Sequence, residues 1–446
     1  MVGPYTTVDL GHGREVNLFL LRFDEDGELL SPQTQELVTS SLTDGYTDVF
    51  VFSHGWNNNF KVASEKYLTF IEGYAAQRAR LALPVPLDYK PLLIGVMWPS
   101  TSFLFPWEKG PTIAADPAAD DSEREEMLRL LLAAMAPEAR SQLVELIDGA
   151  DALDRAAATG AAELVLDAVR PASDPEDASE APSVDEFLEA WGALEGLAPP
   201  APADPNAFGG IGAGEPHADV QAAAGSRLDP RGLLRAATVW MMKDRAGRVG
   251  GRGVAPLLER VLEDSEARLH LVGHSFGARV VLSAMATQKA PRKAHSMLLL
   301  QPAVNRWCFA HEVIGRGIPG GYRPVLDRVE RPIVTTYSRY DKPLHEAFHL
   351  AVRGSSLGEP DIAAVGDVER YGALGGYGPK GIDDRVTQKD ACAEGTSYDL
   401  VGVGGVVAID GAVEIDGKPA IDGHGDINSK VAWWALHSLT RTNQHG

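Results

Sequence analysis

Gly273-His274-Ser275-Phe276-Gly277 is the run in this chain with the clearest chemical potential. It follows Leu269-His270-Leu271-Val272, which reads as a buried strand, and precedes Ala278-Arg279-Val280-Val281-Leu282, which reads as a helix. A Gly-x-Ser-x-Gly run between strand and helix makes a turn so sharp that the serine takes a strained backbone and stands above the strand ends. The glycines remove side chains that would collide with strand and helix. The helix N-terminus beside the hydroxyl favours developing negative charge. Ser275 is therefore the candidate nucleophile.

A serine nucleophile needs a base, and the base needs an orienting carboxylate. With a Gly-x-Ser-x-Gly turn, the expected chain order is Ser, then Asp or Glu, then His. The apolar run Ile333–Tyr337 leads into Ser338-Arg339-Tyr340-Asp341-Lys342-Pro343-Leu344, which puts Asp341 in a strand-end loop. Asp327 and Asp367 are the alternative carboxylates. For the base, Gly423-His424-Gly425-Asp426 precedes the last helical stretch, and its small neighbours let the His424 imidazole swing inward. His437 lies inside that helix, His445 in the tail, and His345 and His349 in a helical stretch beside Asp341. All four are less well placed.

An acyl-transfer intermediate also needs two donors aimed at its oxyanion. One is the backbone N–H of Phe276. The other is expected from the loop after the strand Val49-Phe50-Val51-Phe52, in Ser53-His54-Gly55-Trp56-Asn57, with the amide of Trp56 the best placed. Gly55 lets the backbone approach the substrate. His54 is expected to shape the loop by hydrogen bonding rather than to act as base. His54, Gly55, Asn57 and His274 are the substrate-pocket candidates, although Asn57, Asn58 and Asn59 read equally as a turn. Gly250-Gly251-Arg252-Gly253 lacks the Lys-Ser/Thr of a phosphate loop. Neither a metal nor an organic cofactor is expected.

The elements that must hold these residues alternate. Val16–Phe23, Asp48–Phe52, Leu92–Trp98, Leu269–Val272, Ser296–Leu300 and Ile333–Tyr337 are apolar runs of strand length, with Tyr398–Ala408 a weaker seventh. Continuous apolar runs suit parallel strands buried on both faces. Lys61–Leu81, Ala278–Thr287 and Val431–Leu439 read as helices. The alternation predicts a mostly parallel sheet covered on both sides. Residues 101–230 interrupt it. Ser122-Glu123-Arg124-Glu125 and Ser183-Val184-Asp185-Glu186 are capping-box patterns, each ahead of a helical apolar stripe. Pro199–Pro205 and Gly209–Gly214 read as linkers. The expected organisation is a catalytic domain of residues 1–100 and 231–446 with a helical acidic insertion at 101–230. A cap or lid over the site and a surface insertion without catalytic role are both open. Ile-Asp-Gly recurs at Ile409, Ile415 and Ile421. It reads as turn chemistry, because EF-hand ligand spacing is missing.

Charge narrows the partners. The chain has 446 residues and a net charge of −21. Asp116–Glu189 holds 20 acids and five bases, and so carries −15 of that total. An acidic surface repels nucleic acid and anionic membrane. Two cysteines, Cys308 and Cys392, cannot build a disulfide framework. No leader or membrane span is apparent. The cytoplasm is the expected location, with export lacking a cleaved leader left open.

Phe52-Ser53-His54-Gly55-Trp56-Asn57, Gly273-His274-Ser275-Phe276-Gly277, Asp341 in its loop and Gly423-His424-Gly425 together resemble bacterial α/β-hydrolase-fold serine esterases and lipases. The likeness is greatest to a group with a His-Gly-Trp/Tyr-Asn strand end. It covers about 16–105 and 233–439 and leaves out the acidic insertion. It implies an α/β-hydrolase fold and a Ser275-His424-Asp341 triad, with an oxyanion hole at Trp56 and Phe276. The implied substrate is a small or lipid-like carboxylic ester, with no cofactor. The competing expectations are a catalytically inactive binding protein of the same fold and a lipase-type secreted effector.

Overall fold

The computed structural model describes residues 2–11, 13–56, 58–100, 128–129, 131–133, 135–147, 152–169, 183–196, 228–314, 317–348 and 370–441. The chain opens with β1 (Thr6–Asp9), β2 (Glu15–Arg22), α1 (Pro32–Ser40), β3 (Asp48–Ser53), α2 (Phe60–Arg80) and β4 (Pro91–Met97). Within the acidic region lie α3 (Pro137–Ile147), α4 (Arg155–Val169) and α5 (Val184–Gly196). Then come α6 (Pro230–Arg248), α7 (Ala255–Asp264), β5 (Arg268–His274), α8 (Phe276–Thr287), β6 (Ser296–Leu300), β7 (Ile333–Tyr337) and the short α9 (Leu374–Tyr377). The chain continues through β8 (Val386–Asp390), β9 (Val406–Asp410), β10 (Glu414–Ile415), β11 (Lys418–Pro419) and α10 (Lys430–Thr440).

Nine strands form one sheet in the order β1-β2-β4-β3-β5-β6-β7-β9-β8. β1 pairs antiparallel with β2, and every other neighbouring pair is parallel. Alternate residues of the central strands feed two apolar clusters. Leu21, Val49, Val51 and Ile94 point to the side of α6, α7 and α8, whereas Leu20, Phe50, Phe52 and Leu93 point to the side of α2 and α10. Both faces are covered, which is why these strands lack a polar alternation.

The strand predictions hold at the centre and fail at the edges. β1 and β8 escaped the sequence reading because edge strands carry polar residues. β8 is Val-Thr-Gln-Lys-Asp and half exposed. The expected strand Tyr398–Ala408 begins only at Val406. Gly402 and Gly405 both take positive φ (74° each), which breaks the extended backbone. The Ile-Asp-Gly repeats are turn chemistry. One closes β9, and Asp416-Gly417 (φ 56° and 76°) makes the two-residue hairpin between β10 and β11. The third leads into Gly423-His424.

Gly250-Gly251-Arg252-Gly253 is a π-helical turn over Val249–Val254 joining α6 to α7. A Cβ on Gly250 would lie 2.3 Å from the Val280 carbonyl oxygen of α8. The glycine thus serves close helix packing. In the acidic region the Ser183 capping box forms: Glu186 N donates to Ser183 Oγ at 3.3 Å, and Ser183 N donates to Glu186 Oε2 at 2.8 Å. Apolar residues of α3, α4 and α5 belong to the same cluster as α6 and the sheet, through Leu143, Val165, Phe187 and Trp191. The Ser122 capping pattern and the two linker stretches lie outside the described residues. Cys308 and Cys392 are both free thiols. Among the described residues, no helix is long and apolar enough to cross a membrane.

Candidate active site

β5 ends at His274 and α8 begins at Phe276, so Ser275 alone makes the turn. Its φ of 55° and ψ of −126° are strained for a residue with a side chain. Neighbours hold it there. Ser275 N donates to the Leu300 carbonyl at 3.1 Å, and Ala303 N donates to the Ser275 carbonyl at 3.1 Å. The glycines are sterically required. A Cβ on Gly273 would lie 2.6 Å from Ala278 Cα, and one on Gly277 would lie 2.2 Å from the Ser53 carbonyl oxygen.

The hydroxyl ends a hydrogen-bonded row. Ser275 Oγ lies 2.8 Å from His424 Nε2, and His424 Nδ1 lies 2.8 Å from Asp341 Oδ2. Asp341 is fully buried, whereas the His424 side chain keeps 15% exposure. The second Asp341 oxygen accepts from Leu344 N at 3.1 Å. The carboxylate is thus fixed from both sides, and the imidazole is the member that meets solvent.

The His424 loop hangs from three strand ends. Ser338 Oγ, after β7, donates to the Ile421 carbonyl at 2.8 Å. Gln301 Nε2, after β6, donates to the Gly423 carbonyl at 3.0 Å. His274 Nε2, at the end of β5, donates to the His424 carbonyl at 2.8 Å. Three consecutive strands of the sheet, β5, β6 and β7, therefore set the position of one imidazole. Gln301 and Ser338 escaped the sequence reading. Gln301 has no local signature. Ser338 has one, because a serine hydroxyl can accept from the backbone N–H two residues on in a turn, and Tyr340 N does donate to it at 3.2 Å.

His54 and His274 are buried and bonded to the protein. The His54 ring stacks on Trp98 at 5.5 Å, and its Nδ1 lies 2.9 Å from the Gly55 carbonyl. Burial pushes its pKa down to about 4. His274 is driven well below the ordinary range, first by burial and then by His424. Both rings are neutral at pH 7 and shape loops. Gly55 comes closer to the serine. A Cβ there would lie 2.6 Å from Ser275 Cβ. Trp56 and Phe276 meet edge to face at 6.0 Å. Phe276 is the first residue of α8, so no carbonyl four residues back accepts from its amide. Asn57 lies outside the described residues, as do Asp367, His349 and His445. Asn58 Nδ2 donates to the Gly55 and Trp56 carbonyls at 2.9 and 2.8 Å, giving the turn. Asp327 is exposed and pairs with Arg385. His345 stacks on Tyr377, and His437 is buried in α10.

A second Ser–His–Asp row shows what such geometry needs beyond distances. His270 Nε2 lies 2.8 Å from Asp48 Oδ1, and its Nδ1 lies 2.7 Å from Ser296 Oγ. All three are buried at the opposite ends of β3, β5 and β6. Ser296 sits in the regular ladder opposite His270, with no turn to display it and no helix terminus beside it. This row ties three strands together. Burial pushes His270 down to about 4 despite Asp48, so it folds neutral.

His54 and His270 together give a pH prediction. Their unfolded pKa is about 6.5, and each folded value is about 4. Between those values the unfolded chain takes up protons that the folded chain refuses. Stability should therefore fall as pH drops from 6.5 towards 4, by about 2 kcal/mol for each residue at pH 5. Urea unfolding at pH 7 and pH 5 measures the loss. His270→Gln should flatten it. An unchanged slope in that variant rules His270 out as a source.

Among the described residues, no group of three or more His, Cys, Asp or Glu side chains is placed to hold a metal ion. Compared with known proteins, the chain matches no family model, no curated protein and no solved structure.

Proposed function

We propose that the chain is a serine hydrolase of α/β-hydrolase type, cleaving a carboxylic ester through an acyl-enzyme on Ser275. The observation that carries this reading is the Ser275–His424–Asp341 row ending on a serine with a strained backbone at a helix N-terminus. The Ser, Asp, His chain order is the one such a turn is paired with.

In the proposed reaction Ser275 Oγ attacks the ester carbonyl carbon while its proton passes to His424 Nε2. Asp341 accepts from the His424 Nδ1–H and stabilises the imidazolium. The carbonyl oxygen becomes an oxyanion, held by the amides of Trp56 and Phe276. His424 then gives its proton to the departing alkoxide, and the alcohol leaves an acylated Ser275. Water, deprotonated by His424, attacks the acyl carbon, and as the acyl–Oγ bond breaks the carboxylic acid leaves and His424 returns the proton to Ser275 Oγ.

The insertion is the proposed source of substrate choice. It departs from the chain at Ser100, whose Oγ donates to the Asn58 carbonyl at 3.1 Å and sits 3.3 Å from His54 Nδ1. The candidates for lining an entrance are Phe103, Phe105 and Trp107. All three lie outside the described residues. Hydrolysis of p-nitrophenyl esters of increasing chain length tests both parts. Turnover that rises with acyl length and disappears in His424→Ala supports a capped, lipid-like site. A short-chain optimum removes the lipid-like substrate. Equal rates in wild type and His424→Ala remove the enzyme.

A further inference from the structure

The amino-terminal end of the sheet carries a cavity far from Ser275. Its volume is about 370 Å³, a size typical of small-molecule sites. Arg268, the first residue of β5, lines it. Ser275 follows the last residue of β5. At about 3.3 Å per residue, the strand holds the two ends roughly 20 Å apart.

Three guanidinium groups line this cavity, those of Arg78, Arg268 and Arg441, against one carboxylate, Asp48. Asp48 is already matched. Arg268 Nη2 lies 2.6 Å from Asp48 Oδ1, and His270 Nε2 lies 2.8 Å from the same oxygen. That leaves Arg78 and Arg441 as the net charge, and neither makes an ion pair among the described residues. The Arg78 guanidinium lies 5.4 Å from the ring centre of Tyr74 and 4.9 Å from that of Tyr89. Those contacts orient it, while its buried Nε has no hydrogen-bond partner. After burial, Arg78 and Arg441 are the next causes that push the neighbouring His437 down to about 4. The rest of the wall is largely aromatic, from Phe50, Tyr74, Tyr89 and Trp434. A smaller apolar recess adjoins it through Phe50, Tyr74 and Tyr89.

Two guanidinium groups without an ion pair among the described residues, beside aromatic faces, suit a flat apolar body with an oxyanion at one end. We propose that this cavity is an accessory site for a small organic anion, a carboxylate or phosphate monoester on an aromatic body. Arg78 and Arg441 hold the anion, and the aromatic wall holds the ring. The site is independent of the chemistry at Ser275.

Fluorine NMR titration of the full chain tests this with 4-fluorophenyl phosphate and 4-fluorobenzoate, and with 4-fluorobenzyl alcohol as the neutral counterpart. Both anions should bind saturably, and the alcohol at least tenfold more weakly. Arg78→Gln and Arg441→Gln should each weaken the anions about tenfold, and Ser275→Ala should leave their affinity unchanged. Arg441 is exposed, so its variant reads the site even where Arg78→Gln fails to fold. Saturable binding that is equal for alcohol and anions, wild-type affinity in Arg441→Gln, or loss of binding in Ser275→Ala would each overturn the proposal. So would the absence of saturable anion binding.

Discussion

Ser275→Ala is expected to lower kcat for ester hydrolysis by about four to six orders of magnitude while leaving the fold intact. The side chain is small, and replacing it removes the attacking atom and the hydrogen bond to His424 Nε2. His424→Ala should cost a similar factor, and the double variant little more, because the residues act as one unit. Asp341→Asn separates electrostatics from shape. Its amide can still accept from Leu344 N, as Asp341 Oδ1 does. Its NH2 would then face His424 Nδ1, forcing the proton onto Nε2, where it cannot take one from serine. A loss of about 10⁴ in kcat follows. Steady-state kinetics on one p-nitrophenyl ester measures all four variants. An Asp341→Asn enzyme within tenfold of wild type would remove Asp341 from the machinery.

Gly277→Ala carries the largest structural effect. Its new Cβ would lie 2.2 Å from the Ser53 carbonyl oxygen and 2.4 Å from that of His54. Both obstacles are backbone at the end of β3, so no rotamer change relieves them. α8 would have to move off the strand by nearly 1 Å. Overpacking of this kind costs about 3 kcal/mol or more. A displacement of that size at a nucleophile costs about 10² in rate. Gly423→Ala is the matched control. It lies in the His424 loop, yet a Cβ there meets nothing within 4 Å. Thermal melts and rates of the two variants should separate sharply. Equal behaviour would mean that the tightness at Gly277 is not what fixes the turn.

Ser275, Asp341 and His424 were expected to meet, and they form one hydrogen-bonded row, whereas the strand reading failed at the sheet edges. Ser275 was readable because glycines two residues before and after a serine, between an apolar strand and an apolar helix, leave the room that the sharp turn needs. His424 was readable because glycines flank it ahead of a helix. What could not be read was how that loop stays put. Its three carbonyls are held by Ser338, Gln301 and His274, which are 83, 122 and 150 residues away in the chain. No local pattern encodes a side chain reaching a distant carbonyl. The central strands announced themselves because both faces are buried. β1 and β8 did not, since edge strands lack that apolar signal. His274 was expected near substrate, and its ring instead supports the His424 carbonyl from within.

The most direct measurement of the central claim is labelling of the folded protein with a fluorophosphonate probe, followed by peptide mapping by mass spectrometry. The account predicts one adduct, on Ser275, absent from Ser275→Ala and formed at least a hundredfold more slowly in His424→Ala. No adduct on the folded wild type, or equal labelling of Ser275→Ala, would contradict it.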